Sequence, residues 1–464
     1  MLDTSATDEM HQWSHEQSLA ERFSLAVTQL NRLKGVLIRA NGRVTLGGTA
    51  NDMIIAHRAA ELDLARTVPV VEGLLTRTMK PCRLDVGRIV AEGIDLEDEI
   101  TAANAQALPE NAQDVVLYGF GRIGRLLARN YIERSGPAAL LNLRAVVCRP
   151  TADPVADLRK RASLLRTDSI HGAFNATVEL DEQRLCLVAN GNRIRFIYAP
   201  HPADIDYGAF GVSNAILIEN TGVWKDKAGL SQHLSAPGIE KVLLTAPAKG
   251  DIPNIVFGIN DAEIGTHAIV SAASCTTNAA TPVLKVLDEA FGIDSGHVET
   301  VHSFTNDQNL IDNYHKADRR GRSAALNMVI TSTGAAKAVA KAYPPLAGKL
   351  TGNAIRVPTP NVSLAILNLS LRAPTSADRL NQTLEQASIS AAYQKQIGFR
   401  WSPELVSSDL IGSRHAGVID GAATLAEGSR AVVYVWYDNE FGYAQQVFRV
   451  AQAMAGVRLA TLPA

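Results

Sequence analysis

The chain has 464 residues, room for about three domains at roughly 150 residues each. Lys and Arg total 45 against 47 Asp and Glu, and the net charge of −2 excludes a protein built mainly to bind nucleic acid or an acidic membrane. A hydrophobic content of 46% with 20% charged residues excludes wholesale disorder, and no stretch approaches the roughly 18 uninterrupted apolar residues of a transmembrane helix.

The start, Met1 to Glu9, is polar and acidic, without the basic and apolar regions of a secretory signal. Leu19, Phe23, Val27, Leu30, Leu33 and Leu37 recur at steps of three and four, which predicts an amphipathic helix ending at Asn41-Gly42. Further helical stretches are expected near Asp52–Leu64 and Val68–Thr78, with Pro81 breaking the chain. Residues 93–113 turn acidic, then rich in Ala, Asn and Gln, and read as a linker.

The texture changes at Asp114. Val115–Tyr118 is a short apolar strand, followed by Gly119-Phe120-Gly121-Arg122-Ile123-Gly124 and a helical pattern. A glycine triplet between strand and helix permits a tight turn and close approach of backbone N–H groups to a pyrophosphate. A glycine-rich turn that binds nothing is the plainer reading. More apolar strands are expected at Ala145–Cys148, Ala215–Ile218, Val242–Leu244, Ile255–Phe257 and Ala268–Ser271, which together suggest a parallel sheet covered on both faces. Val178–Leu180, Leu185–Val188 and Ile194–Tyr198 read as an antiparallel excursion within it. After the second strand, where an acid commonly binds a ribose 2′-hydroxyl, the chain has Cys148-Arg149-Pro150. Arg149 cannot accept from that hydroxyl but could meet a 2′-phosphate; otherwise it is a solvated cation.

Ser274-Cys275-Thr276-Thr277-Asn278 lies between an apolar strand and a helical pattern. That junction places Cys275 at a helix N-terminus, where the dipole favours thiolate. His302 ends an alternating strand and is either its base or a satisfied core histidine. Longer alternating strands at Val298–His302, Ser363–Arg372 and Ala431–Tyr437 predict a second, mixed-sheet domain. Arg356, on an apolar strand, needs a partner, either an anionic substrate or a structural carboxylate. The four cysteines, Cys82, Cys148, Cys186 and Cys275, have no short pairing, so neither disulfides nor a metal site is expected and the compartment is expected to be the cytoplasm.

Taken together, Gly119–Arg125 (GFGRIGR), Ser274–Asn278 (SCTTN), Ser332–Ala338 (STGAAKA), Lys349–Gly352 (KLTG), Arg356–Ser363 (RVPTPNVS) and Trp436–Tyr443 (WYDNEFGY) resemble the phosphorylating glyceraldehyde-3-phosphate dehydrogenase family. The resemblance runs from Asp114 to near Gly456. Residues 1–112 fall outside it and look like the extension of a longer bacterial subgroup. It implies an α/β fold: a helical extension and linker over 1–112, a Rossmann-type domain over 113–274 completed by 439–464, and a mixed-sheet catalytic domain over 275–438.

The resemblance also implies roles. Cys275 is the nucleophile and His302 the base. Gly119, Gly121, Arg122, Ile123, Gly124, Thr221, Gly222, Asn439 and Tyr443 surround NAD or NADP, with Arg149 standing where the family's ribose-binding Asp would be. Ser274, Thr276, Thr333, Gly334 and Arg322 belong with the attacking phosphate. Thr305, Asp307 and Arg356 belong with the phosphate of glyceraldehyde 3-phosphate. Asn220 and Ala279 are further departures, neither in the chemistry. The partners implied are the sugar phosphate, inorganic phosphate and three further copies in a homotetramer, with no nucleic acid and no membrane. The activity would serve glycolysis or gluconeogenesis. Erythrose-4-phosphate dehydrogenase and a non-enzymatic regulator on the same fold are the alternatives.

Overall fold

The computed structural model describes residues 4–41, 43–44 and 48–464. It divides into two compact units. One contains Met1–Ala112, Arg134–Leu140 and Gly456–Ala464, and the other contains Gln113–Glu133 and Leu141–Ala455.

The first unit opens with the helix Thr4–Lys34, which buries Ala20, Phe23, Val27 and Leu30. The expected helix ran further. It stops because Gly35 takes φ +66°, a left-handed conformation that costs glycine little, and the amide of Val36 turns back to the Leu30 carbonyl at 3.2 Å. Leu33 is therefore exposed and Leu37 begins the strand Leu37–Ala40; the expected stop at Gly42 lies outside the described residues. The next helices are Ala50–Arg58 and Leu64–Leu74, both earlier than their apolar patterns suggest. Their starts are set by caps. Thr49 Oγ1 accepts from the Asp52 amide and Asp52 returns the bond to Thr49, while Asp63 accepts from the Ala65 amide.

Residues 93–113 are not simply linker. Asp95 caps the helix Leu96–Asn104, which buries Ile100 and Ala103. The extension also contains a sheet, in the order Arg43–Val44, Leu37–Ala40, Arg83–Asp85, Thr461–Leu462. Its last strand comes from the chain's C-terminus and runs parallel to Arg83–Asp85. Leu462 enters the same core as Ile38, Val71 and Leu84. Residues 456–464 thus belong here, whereas the helix Phe441–Met454 stays in the second unit.

The second unit begins with a Rossmann-type domain. Its eight strands lie in the order Ile269–Ser271, Ile239–Leu244, Ala215–Glu219, Gln113–Tyr118, Leu141–Cys148, Asn192–Tyr198, Cys186–Ala189, Val178–Asp181. The first six are parallel, and the last two are added by successive antiparallel pairings, so that only Cys186–Ala189 runs against the rest. Gln113–Tyr118 is central. The chain moves first to one side of it and later to the other, which opens a crevice at the carboxyl ends of these strands. The expected strand Ile255–Phe257 is absent. Ile255 and Val256 are buried, but only an isolated bridge, Asn254 to Ser271, joins this segment to the sheet.

The catalytic sheet is mixed, in the order Val329–Ser332, Leu350–Val357, Ile293–Ser303, Ser363–Leu371, Arg430–Tyr437, Gly417–Asp420, Ile397–Arg400. Its alternating strands bury Leu367, Leu369, Val433 and Val435 against Val283, Leu284 and Leu287 of the helix Cys275–Phe291 and Leu380 and Leu384 of Ala377–Ile389. Each fully buried Leu contributes about 1.5–3 kcal/mol. No described helix is long and apolar enough to cross a membrane.

Candidate active site

The glycine triplet divides by function. A Cβ on Gly124 would stand 2.4 Å from the Gly119 carbonyl oxygen, and one on Gly119 would stand 2.9 Å from Thr221 Cγ2. Those two are demanded by packing of the strand, the helix Arg122–Glu133 and the loop at Thr221. A Cβ on Gly121 would meet nothing within 4 Å. The protein itself has no packing need for glycine there, and the open cradle at a helix N-terminus fits a dinucleotide pyrophosphate. Thr221 and Gly222 donate their amides to the buried Glu219 carboxylate at 2.6 and 3.1 Å, which shapes the facing loop. Ile123 lies in the first turn of the helix, and Arg149 is exposed just past the strand Leu141–Cys148. The Arg122 guanidinium is tied to Asp168 and Glu440, so what this residue offers the cradle is backbone.

Cys275 opens its helix after a strained turn. Ala273 has φ +55°, rare for a residue with a side chain, and Ser274 Oγ accepts from the Thr277 amide at 3.1 Å. Cys275 Sγ lies 3.6 Å from Nε2 of His302, whose residue is 5% exposed. The Ser303 carbonyl oxygen is 2.7 Å from His302 Nδ1, and in the tautomer that donates Nδ1–H to it the Nε2 lone pair faces the sulfur. Register explains what stands next to it. His302 and Arg356 are direct neighbours on parallel strands, and Arg356 Nη1 approaches Nδ1 at 2.8 Å and the Ser303 carbonyl at 3.2 Å. Burial and the Arg356 cation push the His302 imidazole down to about 3. Burial pushes the Cys275 thiol up, while Arg356 and the bonds from Thr276 pull it back. Both groups are therefore neutral in this state.

The residues expected to bind phosphate do not all converge. Thr305 Oγ1 is 3.4 Å from Arg356 Nη1 and bonds to Asp307, which pairs with Arg320. Arg322 instead points outward, exposed and paired with Asp312 at 2.9 Å. The cation of this segment that faces the site is Arg320, whose charge helps to depress His302 and which feels Arg356 in turn. Arg320 lies within the helix-like turn Asp318–Gly321 and Arg322 just past it, and the four closely spaced cations Lys316, Arg319, Arg320 and Arg322 could not be told apart by sequence. Thr333 Oγ1 accepts from the Ala335 amide at 3.2 Å, and Gly334 caps the helix Ala335–Ala342. Thr276 is buried, its hydroxyl 2.9 Å from Tyr437 Oη, which also meets Thr300 Oγ1 at 2.6 Å. Tyr437 was not singled out by sequence, although inward alternation along Arg430–Tyr437 points to it. Asn439 Oδ1 accepts from Ser363 Oγ at 2.9 Å, and Tyr443 Oη donates to the Ala273 carbonyl at 3.0 Å.

A Rossmann-type cradle joined to a mixed sheet defines a class of dinucleotide-dependent oxidoreductases, and the cysteine–histidine pair is an arrangement suited to thiol chemistry. Residues 113–227 match the model of the glyceraldehyde 3-phosphate dehydrogenase NAD binding domain, and residues 274–439 match that of the C-terminal domain. A glyceraldehyde-3-phosphate dehydrogenase-like protein of Pseudomonas aeruginosa is 51% identical over 458 residues, 94% of this chain and 99% of its own. Glyceraldehyde-3-phosphate dehydrogenase 1 of Bacillus subtilis is 41% identical over 347 residues, 74% of this chain and 98% of its own. The chloroplastic A form of Zea mays is 40% identical over 360 residues, 76% of this chain and 86% of its own. The chain belongs to the glyceraldehyde-3-phosphate dehydrogenase family.

Proposed function

We propose that the chain is a phosphorylating glyceraldehyde-3-phosphate dehydrogenase that uses NAD or NADP. The observation that carries this reading is the 3.6 Å approach of Cys275 Sγ to His302 Nε2, with Arg356 alongside. Arg356 and Thr305 receive the substrate's phosphate, and that dianion offsets the cation that depresses His302, making the imidazole a better base once the substrate is bound. Sγ adds to the aldehyde carbon as His302 takes the thiol proton, and returning that proton to the oxygen leaves a hemithioacetal. The bound nicotinamide supplies a hydride acceptor. His302 Nε2 takes the hydroxyl proton as the carbon is oxidised to a thioester on Cys275. Inorganic phosphate, held by Arg320 together with Ser274, Thr276, Thr333 and Gly334, attacks the thioester carbon. The C–S bond breaks, His302 returns a proton to the sulfur, and 1,3-bisphosphoglycerate leaves.

Residues Gly119, Gly121, Gly124, Ile123, Thr221 and Gly222 hold the dinucleotide, Asn439 and Tyr443 its nicotinamide end. Arg149 neither accepts from a ribose 2′-hydroxyl nor repels a 2′-phosphate, which favours use of both cofactors. Exposed Leu310, Ile311, Tyr314, Leu326, Met328 and Ile330 crowd the segment between His302 and Thr333, and a homotetramer would cover them. Initial rates with glyceraldehyde 3-phosphate and erythrose 4-phosphate, each with and without inorganic phosphate and with each cofactor, test the reading. Phosphate-dependent turnover on the triose phosphate is expected, with about one equivalent of reduced cofactor per site when phosphate is withheld. Absence of that burst would leave the fold without this chemistry.

A further inference from the structure

Asp438, Asn439 and Glu440 join the strand Arg430–Tyr437 to the helix Phe441–Met454. Both neighbours of Asn439 are anchored by charge. Asp438 is 1% exposed, and its Oδ1 accepts from the amides of Glu440 and Phe441 at 3.0 and 2.8 Å. Its Oδ2 accepts from the Gly412 amide at 2.8 Å and meets His171 Nε2 at 3.0 Å. Glu440 accepts from Arg122 Nε at 2.9 Å, and a second bond joins the same two side chains. Arg122 also binds Asp168, whose Oδ1 accepts from the His171 amide at 2.9 Å and lies 3.5 Å from His171 Nδ1.

The ring Asp438–His171–Asp168–Arg122–Glu440 thus closes around Asn439. One side of it is the first residue of the helix that opens on the glycine cradle. Burial pushes the Asp438 carboxyl up, but His171 and the Gly412 amide hold it below its ordinary range, so this carboxylate is charged at neutral pH. The Asn439 amide has a defined orientation. Ser363 Oγ accepts from the Ser303 amide at 3.1 Å, so its proton goes to Asn439 Oδ1 and the Nδ2 hydrogens point elsewhere.

Accepting that Asn439 faces the nicotinamide amide, we propose that Arg122, His171, Asp438 and Glu440 are positioning residues. They tie the pyrophosphate cradle to the backbone on both sides of Asn439 and set where its amide meets the cofactor. In this role the Arg122 side chain acts on Glu440 and not on a phosphate.

The test is calorimetric titration with NAD and with ADP-ribose, which lacks the nicotinamide. It compares wild type, Asn439→Ala, Glu440→Gln, His171→Gln and each of the latter two combined with Asn439→Ala. Asn439→Ala should weaken NAD about tenfold and ADP-ribose less than about twofold. Glu440→Gln should weaken NAD by about three- to tenfold, spare ADP-ribose, and add less than about twofold in the Asn439→Ala background. Melting curves check that each variant is folded. Should Glu440→Gln not fold, His171→Gln carries the same expectation. Equal weakening of both ligands by Glu440→Gln, or full multiplication of its effect with that of Asn439→Ala, overturns the proposal. If Asn439→Ala itself does not distinguish the two ligands, the nicotinamide role of Asn439 fails, and the positioning role falls with it.

Discussion

Replacing His302 by asparagine tests the electrostatics of the catalytic pair through stability alone, without any assay of turnover. The folded imidazole sits at about 3 against an ordinary 6.5, because burial and then Arg356 disfavour its cation. Between those values the unfolded chain binds a proton that the folded chain does not. Folding is therefore unpenalised at high pH and loses stability as pH falls below the unfolded value. Each unit of pH fully inside that window costs about 1.4 kcal/mol, and integration from about pH 7 to 5 gives about 2 kcal/mol. A carboxamide cannot take up a proton in this range, so His302→Asn should lose about 2 kcal/mol less than wild type over that interval. In a unit this large, about 2 kcal/mol amounts to a Tm difference of roughly 4 °C. Scanning calorimetry at fixed ionic strength and matched protein concentration measures it. Parallel Tm–pH curves for the two proteins would mean that His302 titrates normally in the folded state, and the account of a dry, cation-flanked imidazole would be wrong.

Other expectations follow from particular contacts. Arg320→Ala should lower kcat/KM by about 10- to 100-fold with the loss mainly in inorganic phosphate, whereas exposed Arg322→Ala should stay within about threefold; steady-state kinetics with phosphate varied would refute this ordering if Arg322 dominates. Arg149→Asp should shift the NADP/NAD ratio of kcat/KM towards NAD by at least about tenfold, about 1.4 kcal/mol, and an unchanged ratio would place Arg149 away from the ribose. Removing Gly456–Ala464 deletes the strand Thr461–Leu462, buried Leu462 and the carbonyls that receive Arg83 and Arg88. It should destabilise the first unit by about 2–4 kcal/mol, read as faster proteolysis within residues 1–112. Every proposed site residue lies in the second unit, so turnover should persist.

The candidate site was legible because its motifs are local patterns. A glycine triplet between strand and helix, and a cysteine among small polar residues at another strand-to-helix junction, announce themselves in a few consecutive residues. The alternating strands likewise declared a mixed second sheet. Extents in the first unit were less legible: Gly35 ends a helix whose hydrophobic periodicity continues past it, while the caps at Thr49 and Asp63 start helices ahead of their apolar patterns and Asp95 starts one in a stretch that reads as linker.

Long-range pairing could not be read at all. No spacing reveals that His302 and Arg356 share a register, that Thr461–Leu462 completes a sheet begun at Leu37, or that Arg320 faces the site while Arg322 turns to Asp312. Nor does it reveal that the arginine of the glycine motif spends its guanidinium on Asp168 and Glu440. Backbone propensity and small-residue motifs act between neighbours in the chain, whereas the partner of a charge is chosen by whatever the folded sheet brings within a few ångströms. Identical side chains two positions apart therefore acquire different roles only when the chain has folded.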